Sequence, residues 1–351
     1  TEIYFFLLNN PDKNIWKNEI ESLITKLNLK SNEQKIFIEK QKEKIQPSLL
    51  AYKLDDTSDF YIWYENSIKR VYPETLIPTS FGDNVEVEMA KGEGESFQIV
   101  ISPQKEIKLL NIKIPDFKNK DFILNKNSFE CFHLSSAILN GEGSFDCLTP
   151  IDKSLPVILE RGTNNVLWFS IYTPGNIPAG DYDGEISFEF DNNGEKINKE
   201  INVKIHIWDF KLPSKLPFRA FGLLWRFYLL PEYFSGNISS ENLDMAYINC
   251  LSKYHITTDL IANSRENRLK IFDGKKTDLS SFEQRAKEAV ENLNYNVLSV
   301  PNVYLANWSW KKGQKVAFMN LDPESEEFER LYSTYLKEVS KLLEKNNWFD
   351  I

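Results

Sequence analysis

The residues best suited to bind a ligand lie in the second half of the chain and are aromatic, amide or guanidinium side chains. Trp indoles can stack on the apolar face of a sugar ring, and Asn and Arg side chains can donate hydrogen bonds to its hydroxyl oxygens. The candidate substrate-binding residues are Trp225, Arg226, Asn263, Asn307, Trp308 and Trp310. The competing interpretation is that these rings only pack beneath the loops that contain them.

A parallel sheet is needed to bring these side chains together, and the sequence after residue 211 predicts one. Strands are predicted at Arg219–Trp225, Ile256–Ala262 and Val297–Ala306, and each is followed by apolar residues at helical spacing. A fourth strand is predicted to begin at Trp348–Ile351. Repeated strand–helix units indicate a parallel sheet, and the ligand site of a (β/α)8 barrel lies at the C-terminal ends of its strands. We therefore predict that residues 212–351 form about three βα units of an incomplete (β/α)8 TIM-type barrel.

Two helix starts are predicted from capping residues. Ser280 with Glu283 matches a capping box, in which the side chains at the first and fourth positions satisfy backbone N–H groups. Asp322 is predicted as the N-cap of the last helix, with Pro323 at its first position.

Residues 59–211 carry the pattern of an antiparallel β-sandwich. Apolar and polar residues alternate with a period of two in three segments, which are Ser96–Ile101, Glu185–Phe190 and Ile201–Ile207. Asn193-Gly194 is predicted to form a type I′ hairpin turn. The chain is thus predicted to be a multi-domain β plus α/β protein, and residues 1–58 are interpreted as an N-terminal extension or the remainder of another module.

Composition narrows the class of partner. The formal net charge is −9, with 51 acidic and 42 basic residues scattered along the chain, which argues against a nucleic-acid partner. No apolar run reaches the roughly 20 residues of a membrane-spanning helix. No sequence motif predicts a metal or another cofactor. Three cysteines leave one unpaired, and a Cys131–Cys147 bridge is less favoured than free thiols.

Several motifs together resemble glycoside hydrolase family 123, the β-N-acetylgalactosaminidase-like enzymes, and its uncharacterised relatives. Residues 90–100 read AKGEGESFQIV, residues 167–172 read LWFSIY, residues 178–184 read PAGDYDG and residues 208–213 read WDFKLP. These segments are similar to the N-terminal sandwich of that family and to its proline-rich exit into a barrel. The motif residues also have a structural interpretation, because glycines permit turns and carboxylates brace strands.

The resemblance implies a retaining exo-β-N-acetylhexosaminidase or galactosaminidase that acts on an N-acetylhexosamine-containing glycan. In that mechanism the 2-acetamido group of the substrate is the nucleophile, and an adjacent Asp-Glu pair orients it and transfers the proton. The sequence contains no Asp-Glu dipeptide, and Glu326-Glu327 is predicted to lie on the solvated face of a helix. No catalytic residue is therefore assigned. We expect the pair to follow Ile351 in a longer parent protein, and this chain to be inactive alone.

Two further expectations follow from the resemblance. The protein is expected to be secreted, periplasmic or at the cell surface. The alternative to an enzyme is a non-catalytic carbohydrate- or surface-binding protein whose sandwich recognises the ligand. Linkage, sugar identity, exo or endo action and oligomeric state are not predicted by the sequence.

Overall fold

The computed structural model describes residues 45–139, 142–215, 219, 221–222, 240–258, 261, 277–301, 321–322 and 324–351. The chain divides into two compact units, Thr1–Leu212 and Pro213–Ile351. In the described part of the chain, no helix is both long and apolar enough to cross a membrane.

The first unit consists of two β-sheets. Their strands are β1 (Tyr52–Asp56), β2 (Phe60–Asn66), β3 (Val85–Lys91), β4 (Gly94–Pro103), β5 (Ile107–Lys113), β6 (Phe117–Asn119), β7 (Phe122–Leu124), β8 (Phe129–Leu139), β9 (Glu142–Pro150), β10 (Val157–Leu159), β11 (Asn165–Tyr172), β12 (Gly180–Asn192) and β13 (Glu195–Lys211). The six-stranded sheet has the order β1-β2-β4-β11-β8-β9. The seven-stranded sheet has the order β10-β5-β12-β13-β3, with β6 and β7 attached to β12. A 3-10 turn (Lys126–Ser128) and a short helix, α1 (Ile151–Ser154), connect strands.

The two sheets face each other across one hydrophobic core, so the predicted sandwich is present. Phe97 and Phe169 of the six-stranded sheet stack at 5.1 Å between ring centroids. Phe60 approaches Phe190 of the opposite sheet at 4.7 Å, and all four rings are buried. The alternation of apolar residues along β4, β12 and β13 is the sequence pattern that creates these inner faces.

Two features of the sandwich differ from the sequence prediction. The boundary at residue 58 is too late, because β1 (Tyr52–Asp56) pairs with β2 at the edge of the six-stranded sheet. Among the described strands of the two sheets, the ladder between β13 and β3 is parallel, with Val203 opposite Val85, whereas the other ladders are antiparallel. These two strands lie far apart in sequence, so no hairpin dictates their direction.

Local chemistry explains the hairpin and the glycine-containing motif. Asn193 and Gly194 have φ values of 53° and 93° and join β12 to β13 with Asn192 opposite Glu195, as the predicted type I′ turn requires. In the PAGDYDG segment, a Cβ atom on Gly184 would lie 2.7 Å from the ring of Phe117. Gly184 is therefore needed for close packing, and the motif has a structural role at this position.

The second unit contains two short strands and three helices among its described residues. The elements are β14 (Phe221–Gly222), α2 (Ser240–Ser252), β15 (Thr257–Thr258), α3 (Ser280–Asn292) and α4 (Glu326–Lys345). β14 and β15 pair in parallel with α2 between them in sequence, which is one βαβ unit. The barrel predicted for this unit remains a prediction, because only this pair of parallel strands is described.

A residue with a left-handed backbone conformation follows each of the three helices described in the second unit. His255, Asn294 and Asn347 have left-handed φ values of 55°, 56° and 56°, and each follows the end of a helix within two or three residues. After α4, the N–H of Trp348 donates to the Leu343 carbonyl at 2.8 Å, which is the outer bond of a Schellman motif. A left-handed residue is a common way for a helix to end, so this feature does not test the predicted repeat of strand–helix units.

The local predictions at strand and helix ends were partly wrong. Residues 297–301 and 348–351 are not strands, and Trp348 instead closes the C-terminal cap of α4. Ser280 lies inside α3 and is held by the carboxylate of Asp278, so the capping box with Glu283 is not formed. The N-cap of α4 is Ser325, whose hydroxyl accepts from the Phe328 N–H at 3.2 Å. The predicted cap, Asp322, is a turn earlier, where it accepts from the Glu324 N–H.

Candidate active site

The parallel pair β14–β15 is the described part of the predicted ligand-binding edge. Phe221 lies opposite Thr257, and Gly222 lies opposite Thr258. A Cβ atom on Gly222 would be 3.4 Å from Cγ2 of Ile256, which is an ordinary van der Waals contact, so the position would also accept a small side chain. Because both strands run in the same direction, their C-terminal ends open toward the same side of the sheet.

The residues of β15 and a tyrosine close to them are buried. Thr257 and Thr258 are buried, and so is Tyr295, which follows α3. The pKa of Tyr295 is raised to about 12, because burial disfavours the phenolate more than the Thr258 backbone amide stabilises it. Tyr295 belongs to an apolar cluster with Phe282 and Trp348, whose rings meet edge to face with their centroids 6.4 Å apart. Tyr295 thus links the Thr258 backbone of β15 to this cluster.

The six predicted substrate-binding residues lie outside the described residues. These are Trp225, Arg226, Asn263, Asn307, Trp308 and Trp310. The segments that contain them come after the C-terminal ends of β14 and β15, or after residue 301. Their convergence on one site therefore stays a prediction.

The opposite end of the strands has only a small hollow. It holds about 10 Å³ and is lined mainly by the residues at which α2 and α3 end, including His255, Ile256, Asn294 and Tyr295. A volume of this size accommodates at most one water molecule. This hollow is therefore too small to hold a sugar ring.

The carboxyl groups with shifted pKa values are paired with lysines. The pKa values of Asp59, Asp209 and Glu283 are lowered chiefly by a hydrogen bond from a lysine side chain. The pairs are Asp59–Lys105 at 2.8 Å, Asp209–Lys91 at 2.5 Å and Glu283–Lys345 at 2.9 Å. A general acid needs a raised pKa, so these groups do not suit proton donation. Glu326 and Glu327 occupy the first turn of α4, where negative charge stabilises the helix.

Histidine and cysteine side chains do not form a metal centre in the described part of the chain. No group of three or more His, Cys, Asp or Glu residues is placed there to hold an ion. His206 Nδ1 lies 2.6 Å from Asp181, and burial lowers the pKa of His133. Cys131 and Cys147 are free, because the β8–β9 register places Cys147 opposite Ser135.

A groove in the sandwich was not predicted from the sequence. It has a volume of about 440 Å³, within the usual range for small-molecule sites. Its polar lining includes Tyr64, Glu86, Glu88 and Glu95, which come from β2, β3 and β4. The pKa of Tyr64 is raised by burial and by the nearby Glu65 and Glu95 carboxylates. The groove could not be found from sequence, because its walls belong to strands of both sheets.

Comparison with solved structures identifies the fold. The chain resembles a family 123 glycoside hydrolase from Clostridium perfringens, which was studied for glycolipid glycan hydrolysis, with a TM-score of 0.56 and 12% sequence identity. The match covers 83% of this chain. The first unit has 212 of the 351 residues, which is a smaller share, so the matched residues must come from both units. The chain spans 58% of the length of that enzyme.

Other comparisons add little. A protein of unknown function from Porphyromonas gingivalis W83 matches with a TM-score of 0.23 and 13% identity, covering 40% of this chain and 50% of that one. No protein-family model matches, and no curated protein matches the sequence. The similarity to the family 123 enzyme therefore defines the fold of this chain, a sandwich followed by an α/β unit, and it supports the resemblance seen in the motifs.

Proposed function

We propose that this chain belongs to a glycoside hydrolase, and that its parent protein is a retaining exo-β-N-acetylhexosaminidase or galactosaminidase. The observation that carries the proposal is the fold similarity to a family 123 glycoside hydrolase across residues of both units. The βαβ unit formed by β14, α2 and β15 is consistent with the start of a catalytic barrel, in which loops after the strands hold the substrate.

In the proposed reaction the substrate supplies its own nucleophile. The 2-acetamido oxygen attacks the anomeric carbon while the bond to the leaving oxygen breaks, and a Glu side chain protonates that oxygen. Water then attacks the cyclic intermediate, so two inversions give overall retention. We place the Asp-Glu pair for these steps beyond Ile351, because no such dipeptide occurs in the chain.

The proposed role of this chain in the reaction is substrate binding. Trp225, Trp308 and Trp310 would stack on sugar rings, and Arg226, Asn263 and Asn307 would donate hydrogen bonds to hydroxyl or acetamido oxygens. Truncating one of these side chains should raise KM more than it lowers kcat, since it removes binding shared by substrate and transition state.

The deciding experiment uses two aryl β-glycosides, one of N-acetylgalactosamine and one of N-acetylglucosamine. We expect the parent reading frame, extended past residue 351, to release the aglycone from at least one of them, and the 351-residue chain to release none. A thiazoline analogue of the cyclic intermediate should inhibit the extended protein. Absence of release with both substrates would remove the hydrolase proposal, and insensitivity to the thiazoline would remove the substrate-assisted mechanism.

A further inference from the structure

The outer face of the six-stranded sheet carries a patch of aromatic and hydroxyl side chains. Phe97 and Phe169 point into the core. Ser96, which precedes Phe97, and Trp168 and Ser170, which flank Phe169, therefore lie on the opposite face of the sheet. On the neighbouring strand, Phe132 lies directly opposite Trp168. We call Ser96, Phe132, Trp168, Ser170 and Tyr172 the β11 patch.

The indole of Trp168 is held in a defined orientation. Its Nε1–H donates to Ser170 Oγ at 3.0 Å, and Ser170 Oγ lies 3.0 Å from Ser96 Oγ. A hydrogen bond to a hydroxyl two residues away requires the ring to lean along the strand. Trp168 is half-buried against the cluster around Trp63 and Val166, so the ring is supported on one side and reaches solvent on the other.

Tyr172 forms the second ring of the patch. It lies on the same strand, four residues beyond Trp168, which corresponds to about 13 Å along an extended chain. Its side chain is 57% exposed. The residue opposite Tyr172 is Gly94, and a Cβ atom on Gly94 would lie 4.0 Å from Cδ2 of the tyrosine ring, so the ring lies over the glycine and leaves its other face exposed.

The charge of the patch favours a neutral ligand. The cross-strand neighbours of the patch are Gly94, Gln98, Glu130 and Pro150, and none of these positions or of the patch itself is a lysine or arginine. These strand positions therefore supply no cation to an anionic ligand. Hydroxyl groups between aromatic rings suit the hydroxylated rim of a sugar, while the rings suit its apolar face.

We propose that the β11 patch binds a neutral pyranose chain at a site separate from the predicted active site. Trp168 and Tyr172 each contact one sugar ring, and Ser96 and Ser170 hydrogen-bond to hydroxyl groups between them. The pair of hydroxyls also positions the indole, so that little side-chain freedom is lost on binding. Gln98 contributes indirectly, because its amide donates to the carbonyls of Asn66 and Lys69 and fixes the loop beside the patch.

The test is titration of the full chain with tri-N-acetylchitotriose and, separately, with lactose, followed by tryptophan fluorescence and isothermal calorimetry. We expect saturable binding of at least one sugar, weakened roughly threefold to tenfold by Tyr172→Ala, as for loss of one aromatic contact. Trp168→Phe should weaken binding while keeping the packing. Phe122→Ala is the matched control, since Phe122 is 49% exposed on the other sheet and should leave the affinity unchanged.

Other outcomes contradict the proposal. If Tyr172→Ala and Trp168→Phe bound the sugar as strongly as the unsubstituted chain, the sugar would bind elsewhere. If neither sugar bound at concentrations up to about 10 mM, the β11 patch would not be a sugar-binding site. Equal loss in Phe122→Ala would indicate a general effect on folding. Hydrolysis of aryl glycosides by the extended protein is a separate measurement, which Tyr172→Ala should not alter, so failure of the patch and failure of the hydrolase proposal can be told apart.

Discussion

Asn164 is predicted to be the main polar anchor of the loop, residues 67–80, that packs over Trp63 on one part of the outer face of the six-stranded sheet. Its amide donates to the carbonyls of Tyr72 at 3.0 Å and Thr75 at 2.7 Å, and its Oδ1 accepts from Ser102 Oγ at 2.5 Å. Ser102 in turn accepts from the indole N–H of Trp63 at 2.8 Å. Asn164, Ser102, Trp63 and Thr75 are all buried, so water cannot replace lost partners freely.

Replacing Asn164 with Ala removes three hydrogen bonds at a buried position. At about 1 kcal/mol each, we expect the free energy of unfolding of the first unit to fall by about 3 kcal/mol. Asn164→Asp should cost at least as much, since a carboxylate cannot donate to the two carbonyl groups and would be repelled by them. Urea denaturation of the full chain gives the change, and hydrogen exchange of peptides spanning residues 60–80 assigns it to this loop.

Asn165 provides the matched control. It is the next residue, it is half-exposed, and its amide makes one hydrogen bond to the Thr163 carbonyl at 2.9 Å. Asn165→Ala should therefore change the stability by less than about 1 kcal/mol. If Asn164→Ala and Asn165→Ala gave equal losses, or if exchange in residues 60–80 did not accelerate in Asn164→Ala, the buried network would not have the role we assign to it.

Three further predictions concern single residues. Asn347 has a left-handed φ of 56°. Asn347→Gly should therefore raise the free energy of unfolding of the second unit by up to about 1 kcal/mol, and Asn347→Val should lower it. Thermal unfolding measures both changes, and equal melting temperatures for the two variants would contradict the cap geometry. Burial raises the pKa of the Cys131 thiol, whereas Cys147 is exposed. Iodoacetamide at pH 8 should therefore alkylate Cys147 in the native protein and Cys131 only after unfolding. Mass spectrometry of tryptic peptides would detect which cysteine is alkylated. Burial lowers the pKa of His133 from its usual 6.5, so the unfolded state binds a proton at this imidazole more readily than the folded state does. The free energy of unfolding should therefore fall as the pH drops below about 6.5. In urea titrations at pH 7.5 and pH 5, His133→Gln should lose less stability on acidification than the unsubstituted chain.

Much of the sandwich could be predicted from the sequence because its strands carry local signals. Alternation in β4, β12 and β13 marks the inner faces, and Asn193-Gly194 marks the turn between the last two strands. These patterns depend on each residue's own side chain and its immediate neighbours. Helix ends were less predictable, because several residues near each end could cap it. Ser325 caps α4 three residues after the predicted Asp322, and Asp278 accepts hydrogen bonds two residues before the predicted Ser280.

The network around Asn164 and the sandwich groove could not be predicted. Asn164 lies 62 residues from Ser102 and 89 from Thr75, and nothing in the local sequence pairs them. The active-site residues stay a prediction. The candidate tryptophans and asparagines follow predicted strands and lie outside the described residues. Their use in binding rests on the resemblance and on the fold.

The amino-acid pattern was sufficient for the period of the strands, the type I′ turn and the order of sandwich before α/β unit, because short-range backbone preferences and side-chain polarity decide these features. The folded chain alone decided that β3 runs parallel to β13, that Gly184 must admit the ring of Phe117, and that Trp168 leans onto Ser170. These contacts join residues by packing and hydrogen bonding across the sheets. Their energies depend on distances that no local sequence pattern encodes.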